Sequence, residues 1–417
     1  MSDTSSKIKS RIRTITRTAA FTLLSLLLFV NLFILLSGRF YLYKGVASTY
    51  LKGRTGPSIY DLNTFYNAEI NRSEKPEQWK TTSTGIRLTE EEKKFMNGLE
   101  TSSFLIIRND TILSETYFGE HAQKTVSNSF SAAKTVVSLL VGIAIEEGKI
   151  KNLDQKAGDY LPEFREGEKS NITIRHLLMM ASGLDWEESG SNPLSENAES
   201  YYGTDLYRLV TRQKEITSPG KHFNYQSGNS QLLAYIVEKA TGKDLALYAE
   251  EKIWRKIGTE NNAFWSLDKK GGDEKAFCCI YATTRDFAKL GKLLLNKGNW
   301  NGRQVIPEWY IREMEQNPEM TTDEGVDNYR YGLHIWTYYD QGNKISYCRG
   351  ILGQYIMAVP GENIIIVRTG QKRDKNFMLE EGKVTDPLYF RENKYKVGHP
   401  KDLFVYLSIA KRISKNK

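Results

Sequence analysis

Three cysteines in 417 residues, Cys278, Cys279 and Cys348, are an odd number. They exclude the paired framework of a small disulfide-stapled scaffold. Vicinal Cys278 and Cys279 are expected not to bridge each other. One of them could pair with Cys348, though buried apolar thiols are the simpler expectation. The five histidines (121, 176, 222, 334, 399) lie far apart, with no H-E-x-x-H and no paired C-x-x-C, so no metal site is expected. The absence of a G-x-S-x-G elbow counts against an α/β-hydrolase. There is no repeat and no low-complexity tract. Net positive charge is also small outside one region. Of the net +8, residues 1–40 carry +5 (Lys7, Lys9, Arg11, Arg13, Arg17 and Arg39 against Asp3), leaving +3 for the other 377 residues. No basic stripe interleaved with aromatics is present, so no nucleic-acid partner is expected.

What is present begins with an apolar run, AAFTLLSLLLFVNLFILL, from Ala19 to Leu36, in which Asn31 is the only strongly polar side chain. A helix of ~20 such residues spans a bilayer's hydrocarbon core. A cleaved signal peptide would have a shorter core of ~7–15 residues and a small-x-small cleavage site. The SGRFYLYKG that follows offers no such site, which favours an uncleaved anchor. The charge asymmetry is modest, because Arg39, Lys44, Lys52 and Arg54 lie beyond the span. The expected organisation is a cytoplasmic basic tail (1–18), a transmembrane signal-anchor (19–37), a connector packing on the catalytic domain (38–95) and an exported, periplasmic catalytic domain (96–417).

Hydrophobic residues make up 40% of the chain, and 7 Trp, 24 Tyr and 17 Phe suffice for a large core. Ser103–Ile107 and Thr111–Phe118 read as strands across an Asn109-Asp110 turn. Ser131–Glu147 reads as a helix, apolar nearly all round and therefore buried. Ile172–Met180, Gln231–Thr241 and Ala282–Asn296 read as helices. Tyr347–Val359 and Ile364–Thr369 read as strands joined at Pro360-Gly361. Strands at both ends of a helical middle predict an α+β fold, an antiparallel sheet flanked by helices with an inserted all-helical region.

Ser131-Ala-Ala-Lys134 is an S-x-x-K tetrad. The same bare pattern also starts at Ser6, Ser218, Ser266, Ser408 and Ser414, but only Ser131 opens a long buried apolar helix. Residues i and i+3 share a helical face, which puts Lys134 beside the Ser131 hydroxyl. An ammonium among apolar side chains is costly to keep charged, so its pKa falls and it becomes a usable base. The helix N-terminus offers a positive dipole end where an oxyanion would form. The bland alternative is a Ser cap followed by a snorkelling Lys.

The tetrad sits in NSFSAAKTVVSLLVGIAIEEGKI, followed by NLDQKAGDYLPEF, ITIRHLLMMASGL and FNYQSGNSQLLAYIVEKATG. This ordered series, over residues 100 to 410, resembles the class C β-lactamase-related serine hydrolases. That family includes penicillin-binding-protein-like esterases and 6-aminohexanoate oligomer hydrolases. The resemblance implies that Ser131 is the nucleophile and Lys134 the general base. It also implies that Tyr225 of Tyr225-Gln226-Ser227 relays a proton to the leaving group, a phenol beside a cation being expected to ionise more readily. Ser227 stands where Asn is commoner and matches the amide-hydrolysing branch. Cys348-Arg349-Gly350 takes the place of the usual K-T-G or H-x-G. Gly350 suits a strand passing close to a substrate, and Ile351 would join the backbone N–H of Ser131 in the oxyanion hole. Ser227, Cys348, Arg349 and Gly350 are thus candidate substrate-binding residues. The loop 184–204 is expected to form a pocket wall.

The implied reaction is acyl transfer through an acyl-enzyme, with no cofactor. The substrate would be a small molecule or cell-wall-derived: an ester, a small amide or a D-amino-acid peptide. β-Lactamase or D-Ala-D-Ala carboxypeptidase activity is the alternative, and a non-catalytic peptidoglycan-binding or sensor protein is the alternative outside enzymes.

Overall fold

Strands from the two ends of residues 96–417 pair with each other, as the distribution of apolar runs predicts. The computed structural model describes residues 2–82, 86–322, 324–340, 342–383 and 385–415, with backbone alone for 2–10. Its main sheet contains β1 (Lys80–Thr81), β2 (Thr101–Arg108), β3 (Thr111–Tyr117), β4 (Trp336–Asp340), β5 (Asn343–Gly350), β6 (Gln354–Val359) and β7 (Ile364–Gly370). Their order is β4-β5-β6-β7-β2-β3-β1. Every pairing is antiparallel except that of the short edge strand β1 with β3.

The sheet is covered on both faces. On one, the helix Thr284–Leu295 packs Gly291 against Ile356 and Ile365, so closely that a Cβ there would lie 2.6 Å from the Ile365 side chain. On the other, the C-terminal helix Lys401–Lys415 sets Tyr406 against Phe104 and Tyr355. The first of these helices is amphipathic and capped by Thr283, whose hydroxyl accepts from the Asp286 N–H. Between the N- and C-terminal strands lies the largely helical region, including Ala133–Glu146 and Ser227–Thr241, which pack together.

Two boundaries differ from expectation with consequences for the site. Ser131 lies in a 3₁₀ turn, Phe130–Ala132, that precedes the α-helix Ala133–Glu146. Tyr347–Val359 is not one strand but a hairpin, β5 and β6, turning through Ile351–Gly353. Leu352 (φ +61°) and Gly353 (φ +85°) adopt left-handed backbone there. The apolar composition of ILG concealed the turn.

That turn is fastened from inside. Arg368, on β7, has no exposed surface. Its guanidinium donates to the carbonyls of Leu352 (2.9 Å), Gly353 (2.8 Å) and Leu99 (2.6 Å) and to the Thr101 hydroxyl.

At the N-terminus one helix, α1 (Ser2–Ser37), is long and apolar enough to cross a membrane, and nearly all of its described side chains are exposed. After Gly38 a second helix, α2 (Tyr41–Ser48), lies against the helix Glu196–Tyr202. Further along, Asn67–Ile70 pairs with Ala263–Ser266 in a small second sheet.

Arg368→Met strands three carbonyls, that of Gly353 fully buried and those of Leu352 and Leu99 partly so. Each unmet group costs ~1–3 kcal/mol, so the variant is expected to unfold at clearly lower temperature in a thermal melt. An unchanged melting temperature would show that the turn does not depend on this guanidinium.

Candidate active site

The backbone ahead of Ser131 is bent by force of its neighbours. Phe130 has φ +44°, a region that costs a bulky residue of order 1–3 kcal/mol. Asn128 Oδ1 accepts from the Phe130 N–H at 2.8 Å, and the Ser129 N–H donates to Ile280 O at 2.8 Å. Gly350 runs so close alongside that a Cβ would lie 2.2 Å from Ser129 O. The glycine is therefore required by the chain that presents the serine, rather than by a substrate as the sequence suggested.

One helical turn on, Lys134 is 1% exposed. Its Nζ lies 3.0 Å from Ser131 Oγ, 3.1 Å from Ser227 Oγ and 2.7 Å from Phe277 O. All three partners are neutral oxygens, and among the described residues no carboxylate touches it. Burial pulls its pKa down to about 8, partly opposed by the negative field of Glu188. The i, i+3 spacing and the apolar helix thus produce the environment expected of them.

Tyr225 completes the cluster. Ser131 faces its phenol, and the Lys134 ammonium lies 5.1 Å from its ring centroid. Here the expectation of easier ionisation is corrected. Desolvation is the largest effect and raises the phenol's pKa, Glu188 raises it further, and Arg349 only partly opposes them. Tyr225 is held as a neutral hydroxyl, able to donate.

Glu188 was not singled out by the sequence. It lies in the loop 184–204, and one of its oxygens accepts from the Ser227 hydroxyl at 2.6 Å, the other from the Ser227 N–H at 2.7 Å and from Trp186 Nε1 at 2.7 Å. Gly228 admits the Trp186 ring, since a Cβ would sit 2.6 Å from it. The adjacent Glu187 instead binds Asn192 at the surface. Nothing in the string L-D-W-E-E distinguishes the two carboxylates; only the fold does.

A cavity of about 490 Å³ opens in front of Ser131, lined also by Ser227, Phe277, Ile351, Glu188 and further residues of the 188–198 loop. Ile351, 47% exposed, starts the turn after β5, so its backbone borders the same space. The remaining third-motif residues do not line this cavity. Cys348 is buried beside Thr135, and burial pushes its thiol up to about 12. Its expected substrate contact is therefore corrected: the side chain points into the core, toward the helix that carries Lys134. Arg349 lies flat on Trp336, 3.3 Å from the ring centroid, and donates to Gly398 O at 3.0 Å.

Cys278 and Cys279 form a vicinal disulfide, contrary to expectation, and Cys348 is free. Cys279 has φ +74°. The bridge directly follows Phe277, whose carbonyl holds Lys134. Histidines take no visible part in the cluster. His334 is buried between Ser230 and Leu178 O, and burial lowers its pKa to about 3. His176 caps a helix at Thr173. Among the described residues no group of side chains could hold a metal ion.

The Beta-lactamase family model matches residues 88–384. The 6-aminohexanoate-dimer hydrolase of Paenarthrobacter ureafaciens is 26% identical over 284 residues, 64% of this chain and 72% of its own length. A Bacillus anthracis structure provisionally named as a 6-aminohexanoate-dimer hydrolase superimposes with TM-score 0.67 at 21% identity, covering 81% of this chain and 94% of its own. A family VIII carboxylesterase superimposes with TM-score 0.56 at 19% identity, covering 70% and 92%.

Because only neutral Lys134 can accept a proton, kcat/KM for acylation should rise with pH through about 8. Glu188 raises the pKa of Lys134, so Glu188→Gln should move that limb to lower pH. A pH–rate profile of both proteins checks this. An unmoved limb would show that Lys134 does not feel Glu188.

Proposed function

The chain belongs to the Beta-lactamase family, and from that premise we propose that it is a membrane-anchored, exported hydrolase that turns over a simple ester or linear amide through a Ser131 acyl-enzyme. One observation carries the catalytic part: a desolvated Lys134 with no carboxylate in contact, 3.0 Å from the Ser131 hydroxyl.

In the neutral amine the hydrogen bond runs from Ser131 O–H to Nζ. Lys134 takes that proton as Oγ attacks the carbonyl carbon. The negative charge that develops on the carbonyl oxygen meets the backbone N–H groups of Ser131 and Ile351. When the tetrahedral intermediate collapses, Tyr225 gives its proton to the leaving group and regains one from Lys134. Its raised pKa suits that role, because the hydroxyl stays protonated until it is needed. Water then attacks the acyl-enzyme by the same path in reverse.

The substrate class rests on Arg349 and on relatives. A β-lactam carries a carboxylate beside the scissile ring, and a cation facing it is worth ~1.5–3 kcal/mol as a charge-assisted contact. Here Cys348 is buried and the Arg349 guanidinium is occupied by Trp336 and Gly398 O. Relatives include a 6-aminohexanoate-dimer hydrolase and the esterase EstB of Burkholderia gladioli. The length and apolar composition of α1 support anchoring, with residues 1–18 cytoplasmic and the hydrolase region, with the connector 38–95 packed on it, in the periplasm.

Ser131→Ala should lose all fluorophosphonate labelling and turnover, and Lys134→Ala should slow acylation by ~10²–10⁴-fold. Labelling of a folded Ser131→Ala protein would refute the assignment. For the unmodified protein, kcat/KM should be higher for a p-nitrophenyl ester than for nitrocefin. The reverse ranking would identify Arg349 as a carboxylate anchor. N-terminal sequencing of the membrane-bound protein should find no cleavage, whereas a start near residue 38 would mean a signal peptide.

A further inference from the structure

The cavity in front of Ser131 has one wall that does not come from the hydrolase region at all. Tyr41, Leu42, Gly45, Val46, Thr49 and Tyr50 line it, all from α2 and the residues just after it. This helix starts four residues after the end of α1.

Several contacts fix α2 in that place. Tyr41 Oη donates to Pro193 O at 3.0 Å, and Arg39 Nη1 donates to Leu194 O at 2.9 Å, so the chain leaving α1 is tied to the loop that carries Glu188. Gly45 faces the Tyr202 ring, which packs against α2 at this point. Tyr43 Oη donates to Asn31 Oδ1 at 2.7 Å. That bond satisfies the one strongly polar side chain of the apolar run and folds α2 back toward α1. Asn31 precedes the end of α1 by six residues, about 9 Å along a helix axis at ~1.5 Å per residue. With α1 across a bilayer, the Tyr43 hydroxyl therefore reaches about 9 Å below the end of the span, which holds α2 against the outer part of the membrane. Phe40, Tyr43, Val46, Tyr50 and Leu51 are all exposed. Exposed aromatic and aliphatic side chains beside a span are the composition of a membrane interface.

We propose that the cavity opens at the membrane surface and takes a membrane-resident amphiphile. The apolar chain of this ester or amide would lie along Leu42, Val46 and Tyr50 while its carbonyl reaches Ser131. The proposal rests on the anchored acyl-enzyme reading above and supplies its substrate class. An apolar chain in water gains ~0.8 kcal/mol per buried CH₂, so a wall of this kind discriminates by chain length. A polar dimer or short peptide gains nothing from it.

The test uses the full chain reconstituted in phosphatidylcholine–phosphatidylglycerol vesicles, with p-nitrophenyl acetate and p-nitrophenyl laurate as probes. The laurate-to-acetate ratio of kcat/KM should exceed ten. Val46→Asp and Leu42→Asp should each lower that ratio at least tenfold, with fluorophosphonate labelling of Ser131 reporting that the variant is folded. A ratio of one or below in the unmodified protein overturns the proposal whatever the variants do. So does an unchanged ratio in a variant that still labels. Absence of labelling and of acetate turnover in the unmodified protein would instead overturn the acyl-enzyme reading, and this proposal with it.

Discussion

Burying one ammonium group is the constraint on which the site depends. Lys134 sits in a helix whose other side chains are almost all apolar, and water is excluded from its Nζ. A charged amine there is costly unless every N–H finds an oxygen. Ser131, Ser227 and Phe277 O supply the three. Each comes from a different part of the chain, so the fold must bring three segments to one point before the lysine can be tolerated. The same geometry that makes the burial tolerable makes the amine a base near neutral pH.

Much of the surrounding structure follows from holding those segments. The strained Phe130 turn presents Ser131, and it persists because Asn128 and Ile280 O take up its N–H groups. Gly350 lets β5 run against Ser129 O, which brings the Ile351 turn beside the serine. Arg368 then ties that turn to the far face of the sheet and to Leu99. A serine and a lysine near each other are common; the cost of the site lies in the backbone around them.

The legible parts of the molecule were those that depend on periodicity and composition. The buried helix after Ser131, the i, i+3 contact with Lys134 and the sheet built from both ends of the hydrolase region could all be read in this way. Tyr225 was found through its place in an ordered motif series, since one tyrosine in 24 carries no signal of its own. The hairpin turn at Ile351–Gly353 was hidden because its residues are apolar, like those of the strands on either side. Glu188 was hidden because a carboxylate in a polar loop looks the same whether it meets water or Ser227. The ionisation of Tyr225 was misjudged because sequence shows which charges are near in a motif but not how much water has been removed.

Glu188 also joins two things that enzymes of this chemistry could keep apart. It belongs to the loop that lines the cavity, and through Ser227 it sets part of the electric field at Lys134. Any occupant that shifts this loop alters the distance from carboxylate to amine, and with it the proton affinity of the base. Occupancy and base strength are therefore not independent quantities in this protein. A poor fit and a mistuned base would look alike in steady-state rates, and only the position of the pH limb, compared between substrates, separates them.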